Sequence, residues 1–267
     1  MGFHVKGIRF SFNEVPIFND LSLQFSPGRF YGILGPNGSG KTTLLDMLIA
    51  HLRPDAGQIE FMGRPLAGFS HHSLARYIAL VPQDYDIRFP FTVTQTVTMG
   101  RYPHMPRFSA PDRRDLRSVD AALEATGTEI FRNRLITELS SGERQRVVFA
   151  RALAQDTPWL LLDEATAHLD IAHTLGILDI ASGLVRHKGR TVIAVFHDMN
   201  IAAAYCDELI LMKNGDIHAA GSVESVLTQS HIRSVFQVAA KVGYNSYVNA
   251  HQVMLKRITA AETGLKS

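Results

Sequence analysis

Cysteine and net charge are both scarce in this 267-residue chain. Cys206 is its single cysteine, which excludes an internal disulfide or a zinc site built from several cysteines and fits a reducing compartment. The 27 lysines and arginines are offset by 25 acidic residues, leaving a net charge of +2. This balance creates no global field that recruits nucleic acid or an anionic membrane, so we expect no nucleic-acid partner and only local membrane contact.

Long hydrophobic runs are also missing. The most apolar stretches, residues 159–162 and 191–196, are far shorter than the roughly 20 residues that a membrane-spanning helix needs, and they are typical of buried strands. The first residues lack the basic stretch and apolar core of a signal peptide, so we expect a cytoplasmic location. The hydrophobic fraction of 46% is nevertheless ample for a sizeable core.

Strand and helix patterns alternate along the chain. Apolar residues near the N-terminus alternate and are broken by turn residues, which predicts antiparallel strands. Residues 84–155 form a predicted helical insert, with a helix start near Ser109 and Pro111. Strand-like and helical stretches then alternate, which is typical of a parallel α/β sheet, and short helices are predicted after Gly221. The buried face of the insert helix is predicted to contain Leu116, Val119, Ala122 and Leu123.

A glycine-rich loop lies between a predicted strand and a predicted helix. Its residues are Gly35, Pro36, Asn37, Gly38, Ser39, Gly40, Lys41 and Thr42, followed by Thr43. Glycines at this spacing let backbone N–H groups close around phosphates at a helix N-terminus. Lys41 is predicted to neutralise the β- and γ-phosphates, and Thr42 to ligate magnesium. The alternative is a chance glycine turn, which the position between a predicted strand and a predicted helix disfavours.

Two carboxylates follow the apolar run at residues 159–162. Asp163 would lie at the carboxyl edge of the sheet, where it can hold a magnesium-bound water, and Glu164 can accept a proton from an attacking water. Kinases and GTPases share the glycine loop, so this second site is needed to indicate an ATPase. Taken alone, the pair could equally be an ordinary exposed acidic pair after a strand.

A third motif stands at the start of a predicted helix. It offers hydroxyls and backbone N–H groups suited to an anion, and it comprises Ser140, Ser141, Gly142 and Glu143. It resembles the signature motif of ABC ATPases, although Ser141 and Glu143 replace the usual glycine and glutamine. The resemblance implies an α/β P-loop fold with a mixed central sheet, an antiparallel β subdomain and an inserted helical subdomain. It also implies that the motif closes on ATP held by a second copy, in an ATP-sandwich homodimer.

Further positions carry over from the resemblance one at a time. Phe12 matches the aromatic that stacks on adenine, and Gln83 the glutamine that touches magnesium and the membrane partner. His197 matches the switch histidine that contacts the γ-phosphate. Leu169 and Asp170 match the dimer-contact loop. Without the resemblance, Phe12 would be read as a core aromatic, and Gln83 and His197 as ordinary surface or core residues.

Two alanines depart from the family pattern. Ala165 replaces the usual proline after the acidic pair, and Ala167 replaces the serine of the dimer loop. These departures bear on turnover and subunit coupling. The expected cofactors are ATP and Mg²⁺, with Thr42, Gln83 and Asp163 as the magnesium-associated residues.

The run Met99–His104 and the run at residues 197–200 resemble ATPases of ferric-siderophore, haem and cobalamin importers. This implies an ATP-hydrolysing subunit at the cytoplasmic face of a membrane, bound to two copies of a separate permease and working indirectly with a substrate-binding protein. Alternatives are a transporter subunit for another cargo or a soluble ABC ATPase. Residues 1–240 are the predicted ATPase domain and residues 241–267 an extension.

Residues 84–107 are the candidate permease-docking surface. Its possible interface aromatics are Tyr85, Phe89, Phe91 and Tyr102, which could instead pack inside the insert. The mixed charge run Asp112-Arg113-Arg114-Asp115 is interpreted as a solvated helix face.

Overall fold

The computed structural model describes residues 2–83, 85, 89–165 and 169–256. Within these residues the strands are β1 (Phe3–Phe12), β2 (Val15–Phe25), β3 (Phe30–Leu34), β4 (Ala56–Phe61), β5 (Arg64–Pro65), β6 (Ile78–Val81), β7 (Trp159–Leu162), β8 (Thr191–Val195), β9 (Glu208–Lys213), β10 (Asp216–Ser222), β11 (Ala240–Asn245) and β12 (Ala250–Leu255). The helices are α1 (Lys41–Leu48), α2 (His71–Leu74), α3 (Val93–Thr98), α4 (Arg113–Ala125), α5 (Ser141–Ala154), α6 (Ile171–Lys188), α7 (Met199–Tyr205), α8 (Val223–Val226) and α9 (Gln229–Phe236). None of the helices in the described ranges is both long and apolar enough to cross a bilayer.

A six-stranded sheet forms the centre of the molecule, in the order β10-β9-β3-β8-β7-β6. Strands β3, β6, β7, β8 and β9 run parallel, and β10 is antiparallel to β9. Every residue of β3, β7 and β8 is buried, as expected of parallel strands covered on both faces. The predicted mixed central sheet is therefore confirmed.

A second, antiparallel sheet has the order β2-β1-β4-β5. Phe3 pairs with Phe25 on one side and with Phe61 on the other, and its ring meets that of Trp159 edge-on with the ring centroids 5.0 Å apart. Trp159 begins β7, so this aromatic cluster joins the antiparallel sheet to the central one. Aromatic burial of this kind contributes both area and specific edge-to-face geometry. The predicted antiparallel β subdomain is also confirmed.

Helices α3, α4 and α5 enclose a small core of their own between β6 and β7. The insert helix begins at Arg113 with Asp112 as its N-cap, so the predicted start near Ser109 is three to four residues early. Val119, Ala122 and Leu123 are buried as predicted. The prediction for Leu116 was wrong, because its side chain is 47% exposed.

The charge run at the start of α4 is exposed at Asp112, Arg113 and Arg114, as predicted, whereas Asp115 is buried. Asp112 accepts hydrogen bonds from the backbone N–H groups of Arg114 and Asp115 and so caps the helix. Asp115 is buried and accepts a hydrogen bond from Arg101 Nε at 2.9 Å. Arg101 is buried as well and donates from Nη1 to the carbonyl of Ala154 at 2.7 Å. This ion pair links the Met99–His104 turn to both α4 and the end of α5.

We expect Asp115→Ala to lower the free energy of unfolding by about 3 to 5 kcal/mol, because it leaves the Arg101 guanidinium buried without its counter-charge. Asp120 provides the matched control, since it pairs with Arg132 on the exposed surface, where truncation should cost about 1 kcal/mol or less. Urea unfolding of both variants measures the difference. Equal losses in the two variants would contradict the buried-pair interpretation.

The C-terminal region contains the two predicted short helices, α8 and α9, and then a hairpin of β11 and β12 that the sequence did not predict. Val253 of β12 belongs to the main core cluster, which is the set of buried side chains that pack between the central sheet and helices α5 to α9. The hairpin starts at Ala240, close to the predicted domain boundary, which stays a prediction. Residues 257–267 of the predicted extension lie outside the described residues.

Candidate functional site

The glycine loop turns sharply from β3 into α1. At Gly35 a Cβ atom would stand 2.4 Å from the carbonyl oxygen of Met212, so no side chain fits there. Gly40 has a φ of 96°, and a Cβ on it would lie 2.5 Å from the ring of Phe18. The loop therefore holds its course only with glycine at these two positions. That course leaves the first backbone N–H groups of α1 pointing toward the loop.

Lys41 is held inside this loop. Its Nζ donates hydrogen bonds to the carbonyl oxygens of Gly35 and Pro36, both at 3.0 Å, and the residue is only 6% exposed. Burial lowers the pKa of Lys41, while the nearby carboxylates of Glu164 and Asp163 oppose that shift. A buried ammonium of this kind is stabilised by an approaching anion.

Ser39 adds an observation that fits the same anion. Its hydroxyl oxygen is buried and has no hydrogen-bond partner among the residues that the structure describes. Buried polar atoms nearly always have a partner, and an orphaned one calls for a specific explanation. A phosphate oxygen seated in the loop would provide that partner.

Thr42 and Asp163 meet across the gap between α1 and β7. Thr42 Oγ1 donates a hydrogen bond to Asp163 Oδ1 at 3.2 Å. Asp163 is 5% exposed, and burial raises its pKa to about 6, against the lowering effect of the Thr42 bond. Hydroxyl and carboxylate oxygens are ligands that Mg²⁺ accepts, so these two residues fit a magnesium ion without needing further protein ligands.

The raised pKa of Asp163 predicts a pH-dependent stability. The folded chain holds this proton more tightly than the unfolded chain, so the contribution of Asp163 to stability is lost as pH rises through about 6. We expect Asp163→Asn, without nucleotide or Mg²⁺, to be more stable than the wild type by up to about 3 kcal/mol near pH 8, with the gap shrinking toward about pH 5. Urea unfolding across this range tests it, and parallel stability curves would contradict it.

Glu164 and His197 face each other at the carboxyl ends of neighbouring strands. His197 Nε2 lies 2.7 Å from Glu164 Oε2, and the exposed fractions of the two side chains are 49% and 10%. Glu164 has a φ of 47°, a left-handed conformation that is uncommon for a residue with a side chain. A strained backbone here is consistent with a carboxylate held in a fixed direction for a functional reason.

An open cleft of about 470 Å³ brings most of the predicted residues together. We call it the Lys41 cleft, and it is lined by Asn37, Gly38, Gly40, Lys41, Thr42, Thr43, Gln83, Glu164 and His197. Gly35, Pro36 and Asp163 are not in the lining, but they accept hydrogen bonds from Lys41 and Thr42, which are. Phe12 is not part of the lining: it is 47% exposed at the end of β1 and packs edge-on against Phe10. Its role with adenine stays a prediction.

The signature residues lie outside the Lys41 cleft and begin α5. Ser140 is the N-cap, and its hydroxyl accepts a hydrogen bond from Glu143 N at 3.3 Å. The Glu143 carboxylate accepts in turn from Ser140 N, and its Oε2 lies 2.8 Å from Ser140 Oγ, which completes a capping box. These bonds lower the pKa of Glu143. Ser141 is exposed beside them, so the motif presents a charged, hydroxyl-rich surface.

The predicted dimer loop adjoins the signature motif. A Cβ on Gly142 would lie 3.4 Å from Leu169 Cδ2, so these two segments are in close contact. Asp170 caps α6 by accepting a hydrogen bond from His173 N at 2.9 Å. The substituted Ala167 lies outside the described residues. Leu169, Asp170 and the signature motif thus form one continuous surface of the chain.

The sequence interpretation missed a role for Gln145. Its Nε2 donates to the carbonyl oxygen of Ala165 at 3.1 Å, tying α5 to the segment that follows Glu164. Ala165 is buried, so the departure from proline is accommodated within the core. The only sequence signal was the position of Gln145 directly after the signature motif.

Among the candidate interface aromatics, Tyr85 packs against α5 rather than projecting into solvent. Arg151 of α5 stacks over its ring at 4.1 Å and donates to its hydroxyl. Phe89 and Tyr102 are 69% and 58% exposed, and Phe91 is 37% exposed. Three of the four candidate aromatics are therefore exposed to solvent.

The sequence and the fold of this chain are similar to those of known proteins. A family model described as ABC transporter matches residues 18–167. The chain is 42% identical over 243 residues to the cobalamin import ATP-binding protein BtuD of Halobacterium salinarum, covering 91% of this chain and 61% of that protein. It is 38% identical to the hemin import ATP-binding protein HmuV of Pseudomonas putida, covering 92% and 94%. The chain thus spans about three fifths of the length of the first of these relatives.

Two solved structures extend the comparison. A metal-chelate type ABC transporter in an inward-facing conformation matches with a TM-score of 0.82 and 26% identity, covering 97% of this chain and 98% of that one. A dimeric ATP-binding cassette in a post-hydrolysis state bound to ADP and Pi matches with a TM-score of 0.73 and 25% identity, covering 83% and 98%. The predicted fold is that of both.

Proposed function

This chain belongs to the ABC transporter family, and from that premise we propose that it is the ATP-hydrolysing subunit of an importer for a metal chelate. The observation that carries the proposal is the Lys41 cleft, where a phosphate-binding loop opens beside Glu164 and its partner His197. A binding loop alone would fit many nucleotide proteins. A carboxylate fixed next to it supplies the means of hydrolysis.

ATP would bind with its phosphates in the glycine loop. Lys41 and the backbone N–H groups at the start of α1 neutralise the β- and γ-phosphates, and the Ser39 hydroxyl gains its missing partner. Thr42 and Asp163 would hold Mg²⁺, with Gln83 at the rim of the same cleft. Held there, the ion would supply positive charge to offset the negative charge that develops on the phosphates.

Hydrolysis then requires a water in line with the γ-phosphate. Its oxygen forms the new bond to phosphorus as the bond to the β–γ bridging oxygen breaks, and its proton passes to the Glu164 carboxylate. His197 keeps that carboxylate in place through the 2.7 Å contact. Positioning and charge stabilisation, rather than covalent chemistry, supply the acceleration.

A second copy of the chain completes each site in this proposal. The signature motif begins α5 outside the Lys41 cleft and Ser141 is exposed, so the motif is accessible to an ATP held by another copy. Its contact with Leu169 supports a shared dimer surface. The dimeric cassette with ADP and Pi among the structural relatives supports the same arrangement.

The cargo class is inferred from relatives named for cobalamin, hemin and iron(3+)-hydroxamate import. The cargo itself would pass through a separate permease at a membrane, with this chain on the cytoplasmic face and a substrate-binding protein on the other side. Phe89, Phe91 and Tyr102 are the proposed contacts to that permease, because aromatic side chains exposed on one insert are typical of interface anchors.

The experiment is purification of the Glu164→Gln chain with ATP from its native membranes, followed by identification of the proteins that accompany it. A permease and a binding protein for a metal chelate are the expected companions, together with chelate uptake that requires ATP. The Lys41→Ala chain is the control, since it should not retain an ATP-dependent complex. Recovery of no membrane protein, or of a transporter for an unrelated cargo, would overturn the importer assignment.

A further inference from the structure

The C-terminal hairpin is fastened to the helix that follows His197. Strand β12 pairs with β11 along one edge, and the side-chain amide of Asn200 takes the other edge at Val253. Val253 N donates to Asn200 Oδ1 at 2.7 Å, and Asn200 Nδ2 donates to the Val253 carbonyl oxygen at 3.3 Å. The amide thus satisfies both backbone groups of one strand residue, as a neighbouring strand would.

Asn200 is also part of the first turn of α7. Asp198 Oδ1 accepts hydrogen bonds from Asn200 N at 2.7 Å and from Ile201 N at 3.1 Å, which caps the helix directly after His197. A helix of only seven residues has few internal bonds, so its orientation depends on its anchors. At its C-terminal end, Tyr205 Oη donates a hydrogen bond to Asp179 Oδ1 of α6 at 2.8 Å. At its N-terminal end, beside His197, the anchors are the Asp198 cap and the Asn200 clamp on the hairpin.

The hairpin offers a firm support for that clamp. Val253 and Ala250 are buried, and Val253 belongs to the main core cluster with Ala202 and Ala203 of α7. A contact anchored in the core transmits position better than one made to a loop, because packed interiors deform little. A chain of contacts therefore connects the core to His197 through Val253, Asn200 and Asp198.

We propose that Asn200 is a positioning residue for ATP hydrolysis, acting by clamping α7 to the C-terminal hairpin so that His197 reaches Glu164. The inference rests on the proposed function. It assigns the hairpin, which lies far along the chain from every nucleotide motif, a part in setting the catalytic geometry. Displacement of a reacting group by about 1 Å lowers a rate by roughly 100-fold, so a modest tilt of α7 is sufficient.

The test compares Asn200→Ala with Asn245→Ala in the full chain. Asn245 is the last residue of β11 in the same hairpin, where its side chain accepts a hydrogen bond from Tyr247 N and makes no bond to α7. We expect Asn200→Ala to lower kcat by about 10- to 100-fold with KM for ATP changed less than about twofold, and Asn245→Ala to leave both unchanged. Hydrogen exchange at residues 197–201 should speed up in Asn200→Ala alone, with no change in the glycine loop.

A double variant separates positioning from a general structural role. If Asn200 acts through His197, then Asn200→Ala should change kcat by less than about twofold when His197 is already alanine. An equal fold-loss in both backgrounds would overturn the inference, as would unchanged exchange at residues 197–201. The proposed function fails separately, by absence of ATP hydrolysis in the wild-type chain itself.

Discussion

Glu164→Gln is expected to bind ATP as the wild type does and to hydrolyse it at least about 100-fold more slowly. The amide keeps nearly the same shape and can still bond with His197, whereas it cannot take the proton of the attacking water. The Glu164 side chain is only 10% exposed, and no other acidic residue is among the described residues that line the Lys41 cleft. Binding is retained because Lys41, Thr42 and the loop are untouched.

The measurement is steady-state release of phosphate together with ATP affinity in the presence of Mg²⁺. Because turnover is blocked after binding, the ATP-bound dimer should accumulate and be visible by size-exclusion chromatography. Glu224→Gln is the matched control, since Glu224 is exposed at the start of α8, away from the cleft. A Glu164→Gln chain that retained more than about a tenth of the wild-type rate would show that another group accepts the proton.

The sequence predicted those parts of the site that depend on local order. Asp163 and Glu164 follow a strand that is hydrophobic throughout, and the carboxyl ends of parallel strands meet at one edge of a sheet. The glycine loop likewise needs only the strand before it and the helix after it. His197 follows the next strand of the same sheet, so its nearness to Glu164 follows from strand order alone.

Other features depend on contacts between distant residues and were not predictable from local pattern. Asp115 is buried against Arg101, although the other three residues of the same charge run are exposed. Asn200 meets Val253 across 53 positions, and Tyr85 meets Arg151 across 66. The apolar residues of β12 do not alternate with polar ones, and both Met254 and Leu255 at its end are exposed. The strand therefore shows no clear two-residue period in sequence.

Because the signature motif lies outside the Lys41 cleft, dimers that combine two different variants should behave differently from dimers of either variant alone. Lys41→Ala damages the loop half of a site, and Ser140→Arg damages the signature half by removing the α5 cap and adding bulk. Each variant alone has two defective sites per dimer. A dimer with one chain of each kind contains one site with both defects and one site with neither.

Mixing equal amounts of the two inactive variants should therefore restore about a quarter of the wild-type ATPase rate, because half of the dimers are mixed and each holds one intact site. Lys41→Ala mixed with Glu164→Gln is the control. Both of those residues line the same cleft of one chain, so no combination of the two chains forms an intact site and no recovery is expected. If the mixture of Lys41→Ala and Ser140→Arg is no more active than either variant alone, each chain builds its site alone. Recovery in that mixture but not in the control requires the signature motif to act on the ATP bound by its partner.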